Sequence, residues 1–358
     1  MRLSSNEGMS HNGTRQRWQP ILVLSSVLTG LFILDLLLGS VKIPIAEVFK
    51  TFLGNANSNE AWSAIILKIR LPRAITAILA GAALSIGGLQ MQTLFRNPLA
   101  GPSILGITAG SSLGVAAVML VAGSATTAYT IRQLGLGGSW LIIIAATVGA
   151  ALVLLLILGL SFKIRDNVVM LIVGIMVANI TIAVVSIWQY FSDPEQMQEY
   201  ILWTFGSLGG VTNEQLKVLA LIVGIGIIST FFLSKTLNAL LLGENYAQSM
   251  GLNIRRSRCQ IIIVTSLLAG SITGFCGPIG FVGIAVPHLT RSFLNTADHK
   301  ILIPNCVLIG ASLMLLCDII SQVPGSQTIL PINAITAMIG SPIVIWIIVK
   351  RRNLKASF

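Results

Sequence analysis

Two carboxylates, Asp35 and Asp318, interrupt otherwise apolar stretches of this chain. An ionisable group at membrane depth marks a functional site by default. A proton relay needs several such groups within reach of one another, and these two lie far apart in sequence. Asp318 sits in a segment rich in small residues, where bonding a neighbouring helix is the alternative role. Asp35 falls near the outer end of the first apolar stretch and reads as interfacial. Arg70 and Arg73, in the run RLPR, open a long apolar stretch with two permanently charged groups. Such arginines either snorkel to the interface or offer a bidentate site to carboxylates of an external partner.

Other chemistry is thinly supplied. His11, His288 and His299 lie apart, and His288 follows Pro287 at what reads as a helix start, a capping or packing position. Cys259, Cys276, Cys306 and Cys317 are scattered through apolar segments without CxxC or Cys/His ligand spacing, so they read as small packing residues and no metal site is expected. The phosphate loop GxxxxGK[ST] is absent, since the dipeptide Gly-Lys does not occur. The chain therefore does not bind ATP by that route. An intramembrane enzyme would need a nucleophile with a base in reach, and the sequence offers no such pair; no catalytic residue is assigned.

The elements that must position these groups follow from composition. Of the 358 residues, 54% are hydrophobic and only 10% charged. A soluble domain carries roughly 25% charged residues, so this chain lacks the polar surface to cover a water-soluble globule. Apolar runs of helical rather than β-barrel length predict an all-α polytopic membrane protein of about ten transmembrane helices. The spans are Ile21–Gly39, Ala61–Phe95, Ile107–Val121, Ser139–Leu160, Asn167–Phe191, Leu216–Ser234, Arg256–Phe275, a short one at Ala285–Leu294, Ile301–Gln322 and Ile332–Val349. Residues 1–20 form a polar, basic tail ahead of an uncleaved first span, 21–350 a single transmembrane domain, and 351–358 a second basic tail.

The net charge of +11 concerns topology rather than nucleic acid. Most Lys and Arg fall in segments that can share one side, while only Lys42, Lys50, Arg132 and Lys217 need the other. That bias puts both termini in the cytoplasm and the excess cations against anionic lipid. The longest basic island, 235–258, carries Lys235, Arg255, Arg256 and Arg258. Its middle reads as one or two short helices, Leu240–Leu242 then Tyr246, Ala247, Met250 and Leu252, punctuated by Gly243 and Gly251. An apolar surface held at the cytoplasmic face needs a protein partner.

Between Gly277 and Pro287, two further glycines and two prolines predict irregular backbone, which survives at membrane depth only inside the bundle. The small-residue pairs Gly81/Ser85 and Gly270/Gly274 allow close helix crossings. Leu79–Gly88 (LAGAALSIGG) faintly echoes Leu268–Gly277 (LAGSITGFCG), as an inverted repeat would.

Four runs carry a resemblance: RLPR (Arg70–Arg73), AGAALSIGGLQMQTLFRNPLAGPSILGITAGSSLG (Ala80–Gly114), LLLGENYAQSMGLN (Leu240–Asn253) and GPIGFVGIAVPHLTR (Gly277–Arg291). The chain resembles the FecCD-type permeases, membrane subunits of ABC importers for ferric siderophores, haem and vitamin B12, from Ile21 to Arg352. The resemblance implies the type II ABC importer architecture: a homodimer in the bacterial inner membrane, two cytoplasmic ABC ATPase subunits holding ATP and magnesium, and a periplasmic binding protein. No cofactor is implied for this chain itself. Leu240, Leu242, Gly243, Glu244, Ala247, Met250, Gly251 and Leu252 match the family's coupling helices. Arg70 and Arg73 match arginines that meet glutamates of the binding protein in the vitamin B12 permease, whose third arginine aligns near Gln322. The family's pathway maps to Asn167–Phe191, with the cytoplasmic gate at Asn167, Val168, Leu171 and Gly174. The expected function is alternating-access import of an iron chelate, siderophore or haem, with vitamin B12 as the alternative cargo. A gradient-driven secondary transporter is the remote rival, resting on Asp318 alone.

Overall fold

The computed structural model describes residues 10–39, 41, 43–52, 60–121, 138–164, 166–323 and 328–351. Every regular element among them is helical. In chain order these are α1 (Ser10–Leu37), α2 (Ile45–Phe52), α3 (Glu60–Leu94), α4 (Ile107–Val121), α5 (Gly138–Ser161), α6 (Asn167–Phe191), α7 (Pro194–Thr204), α8 (Asn213–Phe232), α9 (Ser234–Leu241), α10 (Glu244–Ser249), α11 (Ile254–Cys276), α12 (Val282–Leu294), α13 (His299–Ser321) and α14 (Ile332–Arg351). Seven are long and apolar enough to cross a bilayer, and α4 and the Ile332–Trp346 part of α14 are shorter apolar helices. The expected spans all recur as helices, with α7 and α2 added between them. Arg2, Lys42, Arg132, Arg165, Arg352 and Lys355, the outermost parts of both tails, and the side chains of Arg15 and Arg17 lie outside the described residues.

Helix α3 is the hub. Its apolar window is 83% buried, against 11% for α1 and 22% for α6. Lipid tails are as apolar as leucine, so helices associate in a membrane by close packing and hydrogen bonds. Along α3 small residues do the first job. A Cβ at Gly81 would lie 2.1 Å from the Gly310 carbonyl oxygen of α13, and one at Gly88 1.7 Å from the Gly283 oxygen of α12. Those distances are closed to any side chain. Polar side chains do the second job: Gln90 donates to Thr230 of α8 at 2.7 Å and accepts from Thr265 of α11. The pair α4–α5 repeats the close approach, with Gly149 against the Gly110 oxygen. Gly270 and Gly274, by contrast, meet their neighbours at ordinary van der Waals distance.

Two prolines shape this core. Pro72 follows a π-helical turn at Ile66–Arg70, which widens the helix where the proline ring crowds the preceding turn. Pro287 corrects an expectation. Helix α12 does not begin near Ala285; it starts at Val282 and runs through Pro287. Proline supplies no N–H to the Gly283 carbonyl, and that carbonyl instead abuts Gly88. His288 is consequently a buried mid-helix residue rather than a cap. The irregular backbone is confined to Gly277–Phe281, where Gly277 and the non-glycine Phe281 hold φ of +76° and +65°.

Candidate functional site

Arg70 and Arg73 are not free cations at a mouth. Both are buried, at 6% and 9% exposure. The π-turn carries Arg70 to the C-terminal end of α1, where Nη1 donates to the Leu36 and Leu37 carbonyls at 2.7 and 2.9 Å and Nη2 to Val41. The Leu36 and Leu37 carbonyls are ones that a helix end leaves without intrahelical donors, at the negative pole of its dipole. One turn on, Arg73 meets Asp318 of α13: Nε lies 2.9 Å from both carboxylate oxygens and Nη2 lies 2.8 Å from Oδ1. Ser321 receives a further bond at 3.0 Å. Gln322 donates to Asp318 at 2.9 Å and to Asp35 at 3.1 Å, which makes it the bridge between the two acids. Asp35 is itself 2% exposed, buried in the protein. The sequence held all six residues, Asp35, Arg70, Arg73, Asp318, Ser321 and Gln322, but only the fold brings them into one cluster that ties α1, α3 and α13 together. While these bonds hold, neither arginine is available to an external carboxylate.

The opposite end of the bundle carries the short-helix pair. Leu240 and Ala247 are buried with Leu237 against Met91, Leu94, Ile261 and Ile262, so they anchor the pair rather than display it. Leu242, Tyr246 and Met250 are 62%, 55% and 51% exposed and form an apolar face left open by the described residues. Gly243 and Gly251 turn the chain at φ of +109° and +87°, a region that penalises any Cβ. Glu244 accepts from Arg258 at 3.0 Å, and Arg258 also donates to the Ile164 carbonyl. Arg258 is therefore a buried clamp, unlike the exposed Lys235, Arg255 and Arg256. Leu252 is half-buried against the same cluster.

Behind α9 lies a chain of polar contacts that the sequence did not announce. Asn238 of α9 donates to Asp298, the cap of α13, at 2.8 Å and accepts from the His299 backbone N–H at 2.9 Å. The His299 ring spans from Asn238 to Thr93 of α3, at 2.7 and 2.8 Å. Arg291 of α12 donates to Gln92 of α3 at 2.9 Å. Burial raises the Asp298 carboxyl, but the Asn238 bond, the Lys300 N–H and the Lys300 charge outweigh it and hold the group below its ordinary value.

Helix α6, expected to line a pathway, leaves Val168, Ile172, Met176, Ile180 and Ile187 exposed among the described residues. Of the expected gate residues, Val168 is exposed, Leu171 half-buried, and Gly174 packs beneath the 3-10 turn Pro102–Leu105, where a Cβ would sit 2.5 Å from the Ile104 oxygen. Gly174 thus packs where no side chain would fit. The Asn167 side chain lies outside the described residues. Beside α6 a cavity of about 380 Å³ opens between α4 and α7, lined by Ser103, Thr108, Ser112, Thr181, Ser186, Gln189 and Tyr200 among apolar neighbours. The run Gly110–Gly114, GSSLG, has the spacing of a serine nucleophile elbow. It lies inside α4 rather than on a strand-to-helix turn, and Gly110 and Gly114 serve the crossing with α5. Helix α7, missed as a span, did carry a start signal in Asp193 followed by Pro194.

The family model of the FecCD transport family matches residues 27–350. The chain belongs to the FecCD transport family. Among this permease's curated relatives, the hemin transport system permease protein HmuU of Yersinia pestis is 32% identical over 341 residues, covering 95% of this chain and 99% of that relative. The vitamin B12 import system permease protein BtuC of Escherichia coli O9:H4 (strain HS) is 32% identical over 289 residues, 80% of this chain and 84% of that protein. A solved structure described as an inward-facing metal-chelate type ABC transporter superposes with a TM-score of 0.79 at 27% identity, covering 92% of this chain and 98% of that one. This FecCD chain is thus a multi-pass ABC importer permease of all-α architecture.

Proposed function

We propose that this permease forms the membrane-spanning part of an importer that carries an iron chelate, a ferric siderophore or haem, across the bacterial inner membrane. Two copies would enclose the pathway, two ATPase subunits would hold and hydrolyse magnesium ATP below, and a periplasmic binding protein would deliver cargo above. The observation that carries this reading is the exposed apolar face Leu242–Tyr246–Met250 on helices anchored into the bundle by Leu240 and Ala247. A surface of that kind fits a protein partner, and the anchoring fits transmission of the partner's movement to the bundle. The exposed apolar side of α6 supports a second copy of the chain across the pathway. Delivery by a binding protein rests on family membership, because Arg70 and Arg73 have internal partners. The BtuC relatives support vitamin B12 as the alternative cargo. The gradient-driven rival loses its support, since Asp318 is bound to Arg73, Ser321 and Gln322.

The test is reconstitution. The permease with its ATPase and binding protein in liposomes should take up radiolabelled ferric chelate only with magnesium ATP inside the same compartment as the ATPase. Uptake driven by a proton or sodium gradient without ATP would overturn the reading.

A further inference from the structure

We infer that the cavity between α4, α6 and α7 holds the cargo in transit and selects a metal chelate that is uncharged or cationic, of the ferric trihydroxamate kind, against polyanionic chelates. The inference rests on the importer reading and concerns the cargo's chemistry. The cavity is of ligand size, about 380 Å³. Its polar lining, Ser103, Thr108, Ser112, Thr181, Ser186, Gln189 and Tyr200, consists of hydroxyls and one amide. These donate to and accept from carbonyl and hydroxamate oxygens but carry no charge. Histidine, cysteine and methionine are absent from the lining, so the walls offer no soft or imidazole ligand to an exposed metal. The metal must arrive already enclosed by its chelator.

The sequence around the cavity reinforces the point. No Lys, Arg or His occurs from Asn167 to Asn213, and no charged residue of either sign from Asn97 to Val121. The charges of α7, the helix that supplies Tyr200, and of its cap are acidic and exposed: Asp193, Glu195 and Glu199. A ferric tris-catecholate carries three negative charges, and haem carries two propionates. Either would be desolvated against uncharged walls, and a charge taken out of water without a partner is strongly disfavoured. In a ferric trihydroxamate the three ligand charges cancel those of the metal, and the outward-facing oxygens suit the hydroxyl lining.

The experiment measures binding of three probes to the permease dimer in lipid nanodiscs without the binding protein, which removes that protein's own selectivity. The probes are ferrioxamine B, ferric enterobactin and haemin. The wild type should bind ferrioxamine B saturably and the two anions at least about tenfold more weakly, a difference of about 1.4 kcal/mol. Ser103→Lys and Gln189→Lys should narrow or invert that ratio, and Ser103, being exposed, tolerates the longer side chain. Equal binding of all three probes, preference for an anion, an unchanged ratio in both lysine variants, or no binding of any probe would each overturn the charge rule. The importer reading is judged separately, by ATP-driven uptake in liposomes.

Discussion

Arg73 and Asp318 exchange a bidentate ion pair in a place where neither can be left alone. Removing one partner of a buried pair strands the other, typically at about 3–5 kcal/mol, whereas replacing both by apolar groups is often near neutral. Arg73→Ala should therefore destabilise the detergent-purified permease by about that amount, and Arg73→Met with Asp318→Leu by clearly less, read from chemical unfolding followed by circular dichroism. Equal losses in the single and double variants would remove the pair from the stability account. Asp298 makes a pH prediction of definite sign. Its folded-state pKa is lowered, so its contribution is present above the unfolded carboxylate value, about 3.9. The contribution is lost as pH falls through the lower folded value. The melting temperature should fall between pH 4 and pH 3 more steeply in the wild type than in Asp298→Asn, and parallel curves would sink the assignment.

The short-helix pair separates two roles that the sequence ran together. Leu240, Leu242, Ala247 and Met250 read as one apolar set, yet two are buried and two exposed. Leu242→Asp and Met250→Asp should leave a folded, membrane-inserted permease that no longer co-purifies with the ATPase subunit. Ala247→Asp should instead lower expression and stability, because it places a carboxylate in a fully buried site. Co-purification with normal transport in Leu242→Asp and Met250→Asp would move the docking surface elsewhere. At the crossing of α3 and α12, Gly88→Ala should cost about 1–3 kcal/mol through overpacking, since a Cβ meets the Gly283 oxygen at 1.7 Å. Thermal unfolding of the purified variant is the measurement.

The bundle as a whole has an orientation that the charge distribution predicts. A cysteine introduced at Asn245 should react with a membrane-impermeant thiol reagent only in inverted vesicles, and one at Gln198 only from the periplasmic side. Both positions are exposed, so accessibility within the protein does not confuse the result. Reversed labelling at both would overturn the topology, and with it the cytoplasmic role of 235–258.

Hydrophobicity and length alone determined that this chain is helical and polytopic, because a bilayer admits few spanning structures and each leaves a long apolar run. The runs Ala80–Gly114 and Gly277–Arg291 carried the family, since their glycines and prolines answer to close backbone contacts that only one packing needs. Tertiary structure decided the rest. It alone joined Arg73 to Asp318, across 245 positions, and Gln322 to Asp35. It alone sorted the residues of the short-helix pair into anchors and exposed face, and brought α4, α6 and α7 around an uncharged cavity. The physical reason is the same each time: a local pattern fixes which face of a helix is apolar, but not which neighbour covers it, and partners distant in sequence are chosen only when the whole bundle packs.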